Sequence, residues 1–375
     1  MPERSPTLPR RDLLLIPFLV VLTCIALFSL AEVAARVVWQ SSEDDVCVKT
    51  DTALGHRFTP NCVSRVKAME GPWVTNRYNA CGYRTDQDCG PRQAGVRRVD
   101  LMGSSTAQGF LIPYEGTVAA NLGSALSAHC HADVQLENMG MIGYQGEVIF
   151  RQLDEALALR PDAIVFLVTP FDFDPPDAAP AAAAAAPAPH PELLRQLRNM
   201  SGASRALAVA QHLVFTDNDR FSSLYLGYGD RADFLRPPFT PAWQKRLAYL
   251  GDLLGRMQTK ARSAGVTLVL AYVPSRVQAI YLSRESRPAG VDPSAFGHAV
   301  GDIAKAHDVS YIDISDLFAR TKDAGSLFYP QDGHLTAQGQ PLVGRAIAAQ
   351  VLSSTSSFQG CARSDSAALT QGDIQ

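Results

Sequence analysis

VDLMGSSTAQGF, residues 99–110, runs from an apolar segment through the turn Gly103-Ser104-Ser105 towards a helical pattern that follows Gly109. A serine on a tight turn at the end of a strand has its hydroxyl exposed above the sheet edge. It also lies beside helix N-terminal amides, where developing negative charge is stabilised. Outward from this stretch, the apolar runs 134–137, 163–168, 266–270 and 311–314 read as further strands. Helical patterns near 116–128, 145–159, 241–264, 294–307 and 336–352 lie between or after them. Strands alternating with helices of this length predict an α/β fold. The expected form is a three-layer α/β/α arrangement around a five-stranded, parallel, doubly wound sheet of the flavodoxin-like kind. The unbroken apolar run Ala163-Ile164-Val165-Phe166-Leu167-Val168 fits a strand covered on both faces.

A second chemical candidate follows the last expected strand, in Tyr329-Pro330-Gln331-Asp332-Gly333-His334-Leu335-Thr336. An acid two residues before a histidine can accept one ring N–H and fix the tautomer, leaving the other nitrogen to deprotonate a hydroxyl. The plainer reading is a surface turn with Thr336 as a helix N-cap, and the two are compatible.

Composition limits the function classes. Lys and Arg number 34 against 37 Asp and Glu in 375 residues, giving a net charge of -3, so no basic excess exists to bind nucleic acid. With 46% hydrophobic residues the chain is not disordered as a whole. Residues 13–31, LLLIPFLVVLTCIALFSLA, carry no charge. That length is near the ~20 residues needed to span a bilayer and exceeds the ~7–15 of a signal-peptide apolar region. Arg4, Arg10 and Arg11 precede the run, while Glu32, Glu43, Asp44 and Asp45 follow it. The positive-inside rule then puts residues 1–12 in the cytoplasm and the globular part across the membrane, as a single-pass inner-membrane protein with a periplasmic domain. A cleaved signal ending at Ser29-Leu30-Ala31 is the alternative, and it exports the same domain. Outside the span, Cys47, Cys62, Cys81, Cys89, Cys130 and Cys361 lack paired Cys-x-x-Cys spacing, so disulfides are expected over zinc. Cys47 with Cys62, and Cys81 with Cys89, are close enough in sequence to close small loops.

The organisation expected behind the anchor is a polar extension over 40–95, then an α/β domain over 96–352. A Pro/Ala linker and helical insertion at 174–240 interrupt that domain, and 353–375 is read as a disordered tail. His129-Cys130-His131 with Asp133 does not have standard zinc spacing, and Asp172, Asp174 and Asp177 read as a solvated acidic loop.

Taken together, these blocks resemble the SGNH (GDSL-type) hydrolase superfamily, in its bacterial, membrane-anchored envelope branch. Gly103, Ser104 and Ser105 stand at the family's Gly-Asp-Ser motif, with Gly109 at its closing glycine. Asn138-Met139-Gly140-Met141-Ile142-Gly143 is similar to the second block, and Asp332 with His334 to the last. Asn79-Ala80-Cys81-Gly82-Tyr83-Arg84 resembles a segment that precedes the first strand in this branch. The resemblance implies Ser105 as nucleophile, His334 as base and Asp332 as its orienting acid, with the N–H groups of Ser105 and Gly143 as the oxyanion hole. It implies no metal and no organic cofactor.

Three positions depart from the pattern. Ser104 replaces the aspartate, Asp332 stands two rather than three residues before His334, and Phe171 occupies the place of an oxyanion-donating asparagine. The function implied is a serine esterase or O-acyltransferase acting on acylated cell-envelope glycans, or another ester. The rival from a different class is a non-catalytic envelope protein that keeps the fold to bind polysaccharide or assembly partners.

Overall fold

The computed structural model describes residues 10–43, 47–90, 92, 95–175 and 204–361 of the chain. Most of the Pro/Ala stretch, the ELLRQLRNM segment at 192–200 and the last fourteen residues lie outside these.

Helix α1 (Arg10–Val38) contains the uncharged run and is long and apolar enough to cross a membrane. The polar extension contains short strands. β1 (Ser42–Glu43) pairs with β4 (Val63–Lys67), which pairs with β5 (Trp73–Arg77), while β2 (Val48–Asp51) and β3 (Gly55–Phe58) form a hairpin. Alternation was present in VSRVK and WVTNR, where Val66 and Val74 face inward. Each run is too short for a pattern to stand out.

The central sheet follows. β6 (Arg97–Gly103) leads into α2 (Ser105–Gln108) and α3 (Val118–Cys130). β7 (Val134–Asn138), α4 (Gly146–Ala158) and β8 (Ala163–Val168) come next. The insertion contributes α5 (Arg205–Thr216) and α6 (Asn218–Tyr225). The pattern then resumes with α7 (Pro241–Ser263), β9 (Thr267–Tyr272), α8 (Arg276–Leu282), α9 (Ala295–Ala306), β10 (Ser310–Asp313), α10 (Ser315–Ala319) and α11 (Gly339–Ser354). The five parallel strands lie in the order β10-β9-β8-β6-β7, the doubly wound arrangement expected from the sequence.

Each strand divides its side chains between two cores, because successive residues point to opposite faces. Ile164, Phe166 and Val168 of β8 join Leu268, Leu270 and Tyr272 of β9 against α4, α7 and α9. Ala163, Val165 and Leu167 join Val269 and Ala271 against α3 and α11. Nearly all of these side chains are fully buried, and each Val, Leu, Ile or Phe among them contributes ~1.5–3 kcal/mol by leaving water.

Three disulfides join Cys47 to Cys62, Cys81 to Cys89 and Cys130 to Cys361. The last of these corrects the expectation for 353–375. Residues 353–361 are ordered: α11 runs to Ser354, Phe358 is buried, and Cys361 is tied to α3. Polar composition alone concealed this, because the restraint is a covalent bond to a residue 231 positions away.

Candidate active site

Ser105 is the first residue of α2, directly after β6 ends. Gly103 makes the turn possible: at φ +154° a Cβ there would lie 2.6 Å from the Leu167 carbonyl oxygen of the neighbouring strand. Four residues make too short a helix to hold itself, so its carbonyl end is held from outside. Arg84, 1% exposed, donates through Nη1 to the carbonyls of Gln108 (2.9 Å) and Gly109 (2.7 Å), and through Nη2 to Ile112 (2.7 Å). A buried cation at orphan carbonyls is favourable for both. Burial lowers the Arg84 pKa to about 10, which leaves it charged at neutral pH.

His334 and Asp332 arrive on the segment between α10 and α11, closed by the bridge Phe328–Leu335 and by the bond from the Tyr329 N–H to the His334 carbonyl, 2.8 Å. The His334 Nε2 is 2.7 Å from the Ser105 Oγ, and its Nδ1 is 2.5 Å from the Asp332 Oδ1. The Asp332 Oδ1 also accepts the His334 backbone N–H at 3.1 Å. A neutral imidazole protonated on Nδ1 satisfies both contacts, donating to Asp332 and accepting from Ser105. The Phe110 ring stands edge-on to the imidazole at 5.7 Å. Burial opposes the charged imidazolium. The hydrogen bond and charge of Asp332, with the charge of Asp172 behind it, outweigh burial and raise the His334 pKa. Asp332 is shifted the other way: burial opposes its charge, but His334 holds its pKa below the usual value.

Gly143 follows β7 in a loop with φ +81°, a left-handed conformation natural to glycine. Among the described residues no hydrogen-bond acceptor meets its N–H, whereas the neighbouring Ile142 N–H is taken by the Gln108 Oε1 at 3.0 Å. Phe171 supplies no side-chain donor. Its ring packs edge-on to Phe234 and Trp243, with the Arg231 guanidinium 5.6 Å from its centre.

The acidic loop expected at 172–177 is not a solvated cluster. Asp172 is buried, and its Oδ2 accepts the Thr169 N–H (2.6 Å) and hydroxyl (2.7 Å). Burial raises its pKa, while hydrogen bonds from Ser104 and Thr169 work against that rise. Asp174 pairs with Arg246 at 2.6 Å, and Asp177 lies outside the described residues. The Ser104 hydroxyl therefore turns to Asp172. Cys130, in the metal-like run, is a disulfide partner.

A family model described as an SGNH hydrolase-like domain, acetyltransferase AlgX, matches residues 234–373, the block that holds Asp332 and His334. Over that block the chain is similar to the SGNH hydrolase-like family. No sequence among curated proteins matches it. Among solved structures it is similar to TesA, at 13% identity over 68% of this chain and 98% of that one, TM-score 0.38. It is also similar to a lipase/acylhydrolase from Enterococcus faecalis (13%, 68% and 95%, TM-score 0.40). An acetyl-xylooligosaccharide esterase from Geobacillus Stearmophilus gives 12%, 68% and 94%, TM-score 0.38.

Proposed function

We propose that this protein is a serine esterase or O-acyltransferase of the SGNH kind that acts on acylated cell-envelope glycans through an acyl-enzyme at Ser105. The observation that carries this reading is the continuous relay Ser105–His334–Asp332 at 2.7 and 2.5 Å. The Ser105 oxygen attacks the acyl carbonyl carbon while its proton passes to the His334 Nε2. The oxyanion is held by the N–H groups of Ser105 and Gly143. Collapse breaks the ester bond, and His334 returns the proton to the leaving sugar oxygen. Water or a second sugar hydroxyl then attacks the acyl-enzyme, with His334 again taking the proton. Asp332 stabilises the imidazolium and remains ionised. With Phe171 in the asparagine's place, one donor is lost, a deficit of ~2.7–4 kcal/mol in transition-state stabilisation.

The apolar α1, the flanking charges and the disulfides support a domain held outside the cytoplasmic membrane, on the periplasmic side. An alkaline phosphatase fusion after Trp39 is expected to be active. A stable but inactive fusion reverses this topology.

Phe171 favours the second reading, a polysaccharide- or partner-binding protein without catalysis. The deciding experiment is hydrolysis of an activated acetyl ester by the detergent-solubilised full chain. A burst of leaving group followed by slow turnover, absent in Ser105→Ala, supports the esterase. No release above buffer from folded protein supports the binding role.

A further inference from the structure

The backbone that carries Asp332 is gripped by two charged side chains that take no part in the relay. Glu70, its side chain 3% exposed, accepts the Gln331 N–H (2.9 and 3.0 Å to its two oxygens) and the Asp332 N–H (2.8 Å). Arg276, also buried, donates through Nη1 to the Pro330 carbonyl at 2.5 Å. Consecutive peptide groups are thus bonded to an anion on one side and a cation on the other, where an ordinary surface turn would be bonded to water.

Both charges also reach the insertion. Glu70 hydrogen-bonds the His212 Nδ1 on α5, and Arg276 donates to the Phe215 carbonyl (2.6 Å) and to the Asn218 Oδ1 (2.9 Å). The His212 ring stands edge-on to Trp39, 4.5 Å away, and the Trp39 Nε1 donates to the Met69 carbonyl beside Glu70. Trp39 directly follows α1. The first turn of α5 is in turn capped by Glu32 of α1, which accepts the N–H groups of Arg205 (3.0 Å) and Ala206 (2.9 Å).

We propose that Glu70 is a positioning residue for the acyl-transfer site: it fixes the Gln331–Asp332 backbone so that Asp332 faces His334, and it links that loop to the insertion and to the end of the anchor. This rests on the reading of the site as an acyl-transfer centre. The groups that face His334 are Asp332 on its own loop, Asp172 beyond β8 and Ser105 on α2. Those that face Glu70 are His212 of α5, Arg276 of α8 and Tyr329.

The test uses the full chain in detergent, with two readouts: the His334 imidazole titration by NMR, assigned with His334→Gln, and the rate of fluorophosphonate labelling. Glu70→Ala releases Asp332, so the His334 midpoint moves to lower pH and labelling slows by roughly 10- to 100-fold. Glu70→Gln keeps an acceptor oxygen and recovers most of both. Adding Glu70→Ala to Asp332→Asn costs no more than Asp332→Asn alone, because both act through one group. An unchanged midpoint in folded Glu70→Ala, or losses that add in the double variant, overturns the proposal. If Glu70→Ala does not fold, Glu70→Asp decides, because its carboxylate is one methylene too short to reach the Gln331 and Asp332 N–H groups: a His334 midpoint moved to lower pH supports the proposal and no shift overturns it. A wild type that never labels while the midpoint still moves removes the acyl-enzyme reading and leaves the positioning role standing.

Discussion

The His334 Nε2 lies within 2.7 Å of the Ser105 Oγ although 229 residues separate them in sequence. β6 and β10 belong to one parallel sheet, and parallel strands present their carboxyl ends on one edge. The turn after the first strand and the loop after the last therefore meet there. The acid–base character of this pair governs the first expectation.

Because Asp332, with Asp172 behind it, outweighs burial and raises the His334 pKa, the neutral base accumulates only above the ordinary imidazole value of 6.5. Ester hydrolysis should rise with pH through a midpoint above that value. In Asp332→Asn the midpoint should fall, and the plateau should drop by a factor that can reach ~10⁴ through the wrong tautomer. A midpoint that rises in the variant contradicts the assignment.

Ser104 occupies the family's aspartate position, yet its hydroxyl serves Asp172. Ser104→Ala should therefore label with a fluorophosphonate much as wild type does. Restoring the family residue with Ser104→Asp should do harm, because it sets a second carboxylate beside a buried one. Thermal unfolding should show Ser104→Asp destabilised and Ser104→Asp/Asp172→Ser largely recovered.

Asp100 and Glu137 face each other in register on β6 and β7, both fully buried. Burial raises both pKa values, that of Glu137 to about 7 from 4.5. For a carboxyl group with a raised native pKa the folded state binds more protons, so stability falls as pH rises through the interval from about 4.5 to about 7. At about 1.4 kcal/mol per unit, Glu137→Gln should gain ~3 kcal/mol at pH 8 and almost nothing at pH 4.5. Denaturant melts at the two pH values check this. A larger gain at the acidic value refutes it.

The Cys130–Cys361 bridge restrains the end of the chain against α3. Cys361→Ser should lower stability by ~2–5 kcal/mol and expose the Cys130 thiol to alkylation. In denatured, non-reduced wild type, Cys24 alone should react, since the other six cysteines are paired.

The sheet was legible in the sequence because runs such as 163–168 are continuous and apolar, and because the helices between them are long. Ser105, Asp332 and His334 stood out because turn residues surround them and because their blocks resemble a known family, and the structure brings the three within hydrogen-bond distance. What stayed hidden depends on pairing across the chain. Glu70 is one acid in a polar stretch until the fold brings Gln331 and Asp332 to it. Asp172 read as solvated because its neighbours Asp174 and Asp177 are acidic, while the Ser104 hydroxyl that meets it is 68 positions earlier. The short strands of 40–95 gave too few alternations to register, and the polar composition of 353–361 concealed the order that the distant Cys130 imposes through Cys361.

Acyl transfer at this site requires that His334 activate Ser105. The most direct measurement is fluorophosphonate treatment of the detergent-solubilised full chain, followed by mass-spectrometric mapping of the adduct. One adduct on Ser105, lost in Ser105→Ala, strongly slowed in His334→Ala and kept in Ser104→Ala, is the predicted result. An adduct on Ser104, or none on folded wild-type protein, contradicts it.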